Sequence, residues 1–273
     1  MPRQSSITVR SLERPLLLWS AHYGDAAMMR LAEALALRRD MVTLLEFVRD
    51  NRVIGTQSTG NMPLKAVREV TARFVNPPKL ESTIGDHVYP FRSEEEIESL
   101  YFLHVLAEVG GWLKIARARR WQLTARGKEF LNAAPKLQVS WMLAVWWYRV
   151  NWLVAYPFEG MGDDLPPGFN LSVLASLQTL PLGTWNSFDK FADHVIGATG
   201  LTWTAQESSF ATMLLRGSIR RMVVDILASF DALNRRYRKK PLGRGTISEL
   251  EAFKITPFGK ALLEALAAVR ESA

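Results

Sequence analysis

Two stretches of the chain spell one phrase. WQLTARGKEFL runs from Trp121 to Leu131, and FKITPFGKALL runs from Phe253 to Leu263. Each reads aromatic, any residue, Leu or Ile, Thr, two residues, Gly-Lys, one residue, apolar, Leu. The first three positions alternate as a strand with one buried face does. Thr124 and Thr256 then stand where an N-cap stands, directly before a helical pattern. Pro257 fits the first helical position, where its missing N–H is no loss. Gly127 and Gly259, one turn in, leave room for a close neighbouring backbone. Elsewhere in a helix a Gly costs about 1 kcal/mol against Ala. The phrase therefore predicts a strand passing straight into a capped helix, and its recurrence predicts two modules of one kind.

Basic clusters precede both copies. Lys114, Arg117, Arg119 and Arg120 come before the first, in a segment that alternates around a turn as a hairpin does. Arg235, Arg236, Arg238, Lys239, Lys240 and Arg244 come before the second.

The rest of the pattern is mostly helical. Helices are expected over 24–37, capped by Asp25, and over 40–50, capped by Asp40. Residues 52–55 read as a short strand. A helix is expected over 62–75, with Leu64, Val67, Thr71 and Phe74 on one stripe and Lys65 and Arg68 off it. Residues 79–92 read as irregular. A helix over 93–109 would start from a capping box of Ser93 and Glu96, with Glu94 and Glu95 favouring its positive end. The Gly/Pro-rich segment 157–170 is the best linker. Helices follow near 171–180, 186–197 and 207–234, the last with Arg216 and Arg220 on one face.

A strand ending in hydrophobic-Thr-x-x-Gly-x-x-apolar-Leu behind a basic hairpin resembles the back end of a winged helix-turn-helix domain. It is similar to the phrase of the MarR, PadR and related regulator families. The first half also resembles an uncharacterised, often plasmid-associated group of bacterial proteins. The resemblance implies a mainly α fold of tandem winged-helix-like modules with short β-hairpin wings, joined by a Trp-rich helix. The expected division is an N-terminal extension over 1–24, a first module over 25–135, a connecting helix and linker over 136–169, and a second module over 170–273. It implies a cytoplasmic bacterial regulator of transcription or of a mobile element, without catalysis. Basic wings would meet the phosphates of double-stranded DNA, and a helix would enter its groove. The residues so assigned are Lys65, Arg68, Arg117, Arg119, Arg120, Arg216, Arg220, Arg235, Arg236, Arg238, Lys239, Lys240 and Arg244. A winged-helix scaffold that binds protein is the alternative, with a homodimer or another protein as partner. A nuclease-associated enzyme is a third.

Composition agrees with such partners. The net charge is +7 and the pI about 9.8, which favours nucleic acid or another anionic surface. With no cysteine, disulfides, thiolate metal sites and Cys nucleophiles are excluded. Arg149 and Asn151 interrupt the most apolar stretch, 137–156. An Arg in lipid costs at least ~2.5 kcal/mol, so this stretch reads as a buried Trp-rich helix rather than a span. A dimer interface or a small-molecule pocket is the functional alternative for its tryptophans. The apolar run at Leu16 is too short for a signal peptide.

Reaction chemistry has little support in the residues. There is no phosphate loop, dinucleotide glycine pattern or nucleophile elbow, and no cofactor is expected. His104 and Glu108 share a helix face but fall short of a metalloprotease motif. Glu249, Glu251 and Lys254 loosely resemble a metal-dependent nuclease set.

Overall fold

The computed structural model describes residues 25–84, 87–155, 165–203, 208–242 and 245–271. They divide into two compact units, one of Met29–Val150 and one of Asn151–Ala273 with the first 28 residues. The protein is mainly helical, with small antiparallel sheets, as the sequence predicts.

Along the first stretch run α1 (Asp25–Ala34), α2 (Ala36–Asp50), α3 (Leu64–Thr71), β1 (Glu81–Ile84), β2 (His87–Pro90), α4 (Glu98–Val109), β3 (Leu113–Ile115), β4 (Trp121–Leu123), α5 (Ala125–Asn132) and α6 (Pro135–Tyr148). β3 and β4 pair, and Ile54 bridges to Arg120 on the other side of β4. The Trp-rich helix α6 lies within this unit and packs on α2 and α4. Trp146 and Trp147 are fully buried with Trp112, Trp121 and Phe130. Phe102 meets Trp146 edge-on at 5.2 Å, and Trp112 lies 4.4 Å from Phe130. The tryptophans of α6 fill a core; burying helix on all sides explains why no polar stripe is visible in its sequence.

Three local expectations change here. Asp40 lies inside α2 and accepts from the Val75 N–H instead of capping a helix. Residues 81–84 and 87–90 pair as antiparallel strands, the second of them exposed, rather than as irregular chain. α4 starts at Glu98, so the Ser93–Glu96 hydrogen bond closes a turn ahead of the helix. Glu94 is not a solvated helix-end acid. It is buried, accepts from the Met62 N–H, and its Oε1 lies 2.8 Å from His104 Nδ1. A buried carboxylate needs such partners, and here one comes from the segment before α3 and the other from within α4.

The second stretch runs α7 (Trp152–Ala155), α8 (Phe169–Gln178), β5 (Asn186–Ser187), α9 (Phe188–Thr199), α10 (Ser208–Ile219), a π-helical turn over Arg220–Asp225, α11 (Ile226–Ser229), β6 (Leu233–Leu242), β7 (Gly245–Ile255) and α12 (Pro257–Glu271). The sheet order is β5-β7-β6. The helix expected over 207–234 therefore ends early, and the basic cluster forms strand β6.

The repeated phrase folds the same way twice. Thr124 Oγ1 accepts from the Gly127 N–H at 2.9 Å, and Thr256 Oγ1 from the Gly259 N–H at 2.8 Å. Each threonine hydroxyl also donates upstream, to the Gly111 carbonyl in one unit and to the Asp231 carbonyl in the other. The Thr124 N–H bonds the Trp112 carbonyl, and the Thr256 N–H bonds that of Ala232. The likeness reaches back to the preceding helix ends, where Trp112 N–H bonds Ala107 and Ala232 N–H bonds Leu227. At this cap Gly111 adopts φ +70° and Asp231 φ +55°.

A left-handed backbone suits glycine and strains aspartate. Local desolvation also raises the carboxyl pKa of Asp231, itself an exposed residue, from its ordinary value. A raised folded pKa means that its stabilising share is complete below the ordinary value and is lost as pH rises through the folded one. Asp231→Gly is expected to stabilise the second unit by about 1 kcal/mol at neutral pH, chiefly through the backbone, and by slightly less in acid, because solvent screens the charge of an exposed side chain. Urea titrations at two pH values check both the gain and its sign.

Candidate nucleic-acid interface

The two basic hairpins differ in what surrounds their cations. In the first, β3 and β4 are joined through Arg117–Arg119, with Ala118 and Arg119 both left-handed at φ 57° and 56°. Leu113 and Trp121 point into the core, which forces Lys114 to the open side. Lys114, Arg117, Arg119 and Arg120 are all exposed. Among the described residues none of the four has a carboxylate partner; Arg119 Nε donates to the Gly55 carbonyl at 3.3 Å.

The same hairpin is tied to the start of α3. Gly55 N–H bonds the Arg119 carbonyl, and Trp121 Nε1 donates to the Gly60 carbonyl at 2.9 Å. Gly60 itself turns at φ +79°. Glu94 then holds Met62, and Glu95 accepts from Asn61 Nδ2 at 2.7 Å. The segment 55–62 thus leads from the edge of the basic hairpin into α3. That helix buries Val67, Val70 and Thr71 and leaves Lys65 and Arg68 exposed. α4, by contrast, carries no Lys or Arg and buries Leu100, Phe102, Leu103, His104, Leu106 and Ala107. Glu94, ahead of this helix, owes its contacts to the tertiary fold alone.

The second hairpin is longer and largely neutralised. Arg236 pairs with Glu251 at 2.9 Å, Arg238 with Glu249 at 2.8 Å, and Lys240 with Glu249 at 3.5 Å. The Arg238 partner holds the Glu249 carboxyl below the usual range, and Lys240 adds to the effect. A bulge between Arg236 and Tyr237 divides the ladder. On the opposite face Arg235 pairs with Asp225 at 2.6 Å, and its guanidinium lies 5.7 Å from the Tyr237 ring. Lys239 is exposed with no carboxylate partner among the described residues. Arg244 lies outside the described residues.

The arginines of the long helix are also engaged. Arg216 forms a bidentate pair with Asp193 at 2.8 and 2.7 Å and approaches Asp189 at 3.5 Å. Arg220 approaches Asp225 at 3.5 Å. A π-helical turn begins at Arg220, and the two side chains reach different partners. Exposed pairs of this kind are each worth about 0.2–1 kcal/mol, yet a phosphate brought to them meets the partner carboxylate.

The nuclease-like trio resolves into the same ladder. Glu249 and Glu251 face arginines, and Lys254 Nζ lies 5.1 Å from the Trp185 ring. Among the described residues no three His, Asp or Glu side chains gather to hold a metal ion. Nor, among them, is any helix long and apolar enough to cross a membrane.

No protein-family model matches the chain, and no curated protein matches it in sequence. A solved structure of the restriction endonuclease FokI bound to DNA is similar at 12% identity and a TM-score of 0.35. The match covers 96% of this chain and 46% of that one, so this chain spans about half the length of FokI. Beside an endonuclease neighbour the expectation that the chain is no enzyme is withdrawn. At that TM-score the likeness carries neither a fold nor an activity across, and enzymatic status is not established.

Proposed function

We propose that the chain is a DNA-binding protein built from two winged-helix-like modules, and that the hairpin β3–β4 is the wing that meets duplex phosphate. The observation that carries this reading is the cluster of Lys114, Arg117, Arg119 and Arg120, exposed and without carboxylate partners among the described residues. Cations in this state release condensed counterions from DNA on binding, whereas paired ones first lose a partner. Lys65 and Arg68 on α3 are the candidates for the groove, since α4 is buried and lacks cations. The pairing supports the module assignment: an isolated bridge from Ile54 to Arg120 flanks the first hairpin, and β5 flanks β7 of the second. The finer role is regulation of transcription or of a mobile element.

Fluorescence anisotropy with labelled duplex DNA at several salt concentrations tests the reading. Affinity is expected to fall with a log–log slope of about −4 to −6, corresponding to some five or six phosphate contacts. An absence of binding at low salt by the folded protein would end it. Plasmid DNA incubated in parallel with Mg²⁺ reports whether binding is accompanied by cleavage.

A further inference from the structure

The outward face of the sheet β5-β7-β6 carries a second arrangement of groups. Trp185 immediately precedes β5 and is 39% exposed, although an indole buries well. The Arg236 guanidinium lies 5.0 Å from its ring centroid and Lys254 Nζ 5.1 Å. A cleft of about 340 Å³ opens beside it, lined by Trp185, Ser187, Asp189, Arg236, Arg238 and Glu251. The register explains the grouping: Ser187 and Arg236 both pair with Ala252, so all three share one face of the sheet.

The ligand must satisfy an aromatic plate, two carboxylates and several cations together. A further cation would be repelled by Arg236 and Lys254. An apolar peptide would strip water from these charges without replacing it. A flat heteroaromatic ring with amino donors and an anionic tail meets every group. We infer that the cleft takes one unpaired nucleotide, with its base stacked on Trp185, its amino donors facing Asp189 or Glu251, and its phosphate met by Arg238 and Lys254. Carboxylates accept from the amino group of cytosine, and stacking on an aromatic side chain tolerates any base. The ion pairs leave this role open. Arg236 spends Nε on Glu251, and Arg238 spends Nε and Nη2 on Glu249, so each guanidinium retains donors. The inference goes beyond duplex binding and does not rest on it, since its residues lie in the other unit.

The test is anisotropy with a short fluorescein-labelled oligodeoxycytidine, using the full chain. Trp185→Ala is expected to weaken binding about tenfold and Trp185→Phe by less than about threefold, as loss and partial retention of one stacking surface require. Circular dichroism and a urea midpoint equal to that of the wild type show that Trp185→Ala is folded, and its affinity for duplex DNA should match the wild type. Wild-type protein that ignores the oligonucleotide, or a Trp185→Ala variant that binds it equally well, overturns the proposal. Competition with free deoxycytidine monophosphate assigns the source: displacement supports a free nucleotide as ligand, and its absence beside oligonucleotide binding supports a nucleotide within a strand.

Discussion

Gly259→Ala is expected to destabilise the second unit by about 3 kcal/mol, at the upper end of what overpacking costs. A Cβ added at Gly259 would fall far inside the 3.0 Å that real Cβ contacts respect, against the Ala232 carbonyl oxygen. That oxygen is not free to retreat, because it accepts the Thr256 N–H and the Thr256 hydroxyl. Gly127→Ala meets the same obstacle at the Trp112 carbonyl, held by Thr124 in the same way. A control sits in the same unit. Gly197 lies in α9 with nothing within 4 Å of an added Cβ. Gly197→Ala should therefore stabilise by about 0.5–1 kcal/mol through helix propensity and a less flexible unfolded chain. Urea denaturation of the three variants reads the differences. If Gly259→Ala proves no worse than Gly197→Ala, the close approach of strand and helix is wrong.

The second large effect concerns binding. Changing Lys114, Arg117, Arg119 and Arg120 together to Ala is expected to lower duplex affinity about a hundredfold at low salt and to flatten the log–log salt slope by about 3 to 4 units. Arg236 and Arg238 changed together should cost less than about threefold on duplex DNA, because exposed ion pairs already compensate their charge. Circular dichroism establishes that each variant is folded. The reverse ranking, with the long hairpin dominant, would move the phosphate surface to the second unit and end the assignment of β3–β4.

That ranking could not be read from charge density along the chain. The second cluster is the denser in sequence and includes Arg235, Arg236, Arg238, Lys239 and Lys240. Its acids, Glu249 and Glu251, come later in the chain and meet it only when β6 and β7 pair. Arg216 and Arg220 share a helical spacing, yet both meet aspartates, Asp193 and Asp225, that engage their charge. Trp185 had no signal at all in its neighbourhood, since Arg236 and Lys254 reach it across the sheet.

The repeated phrase was legible because its physics is local. A threonine cap, a small residue one turn in and an alternating strand edge act over a few bonds, and the chain satisfies them in both units. The hydrophobic pattern likewise determined a mainly helical protein with short hairpins. Which charges stand free was decided by the tertiary structure alone. Glu94 reads as a solvated helix-end acid and is buried against His104; Arg238 reads as a phosphate contact and is held by Glu249. Electrostatic partners are chosen by distance in space, and strand pairing and helix packing bring together residues that periodicity along the chain cannot relate.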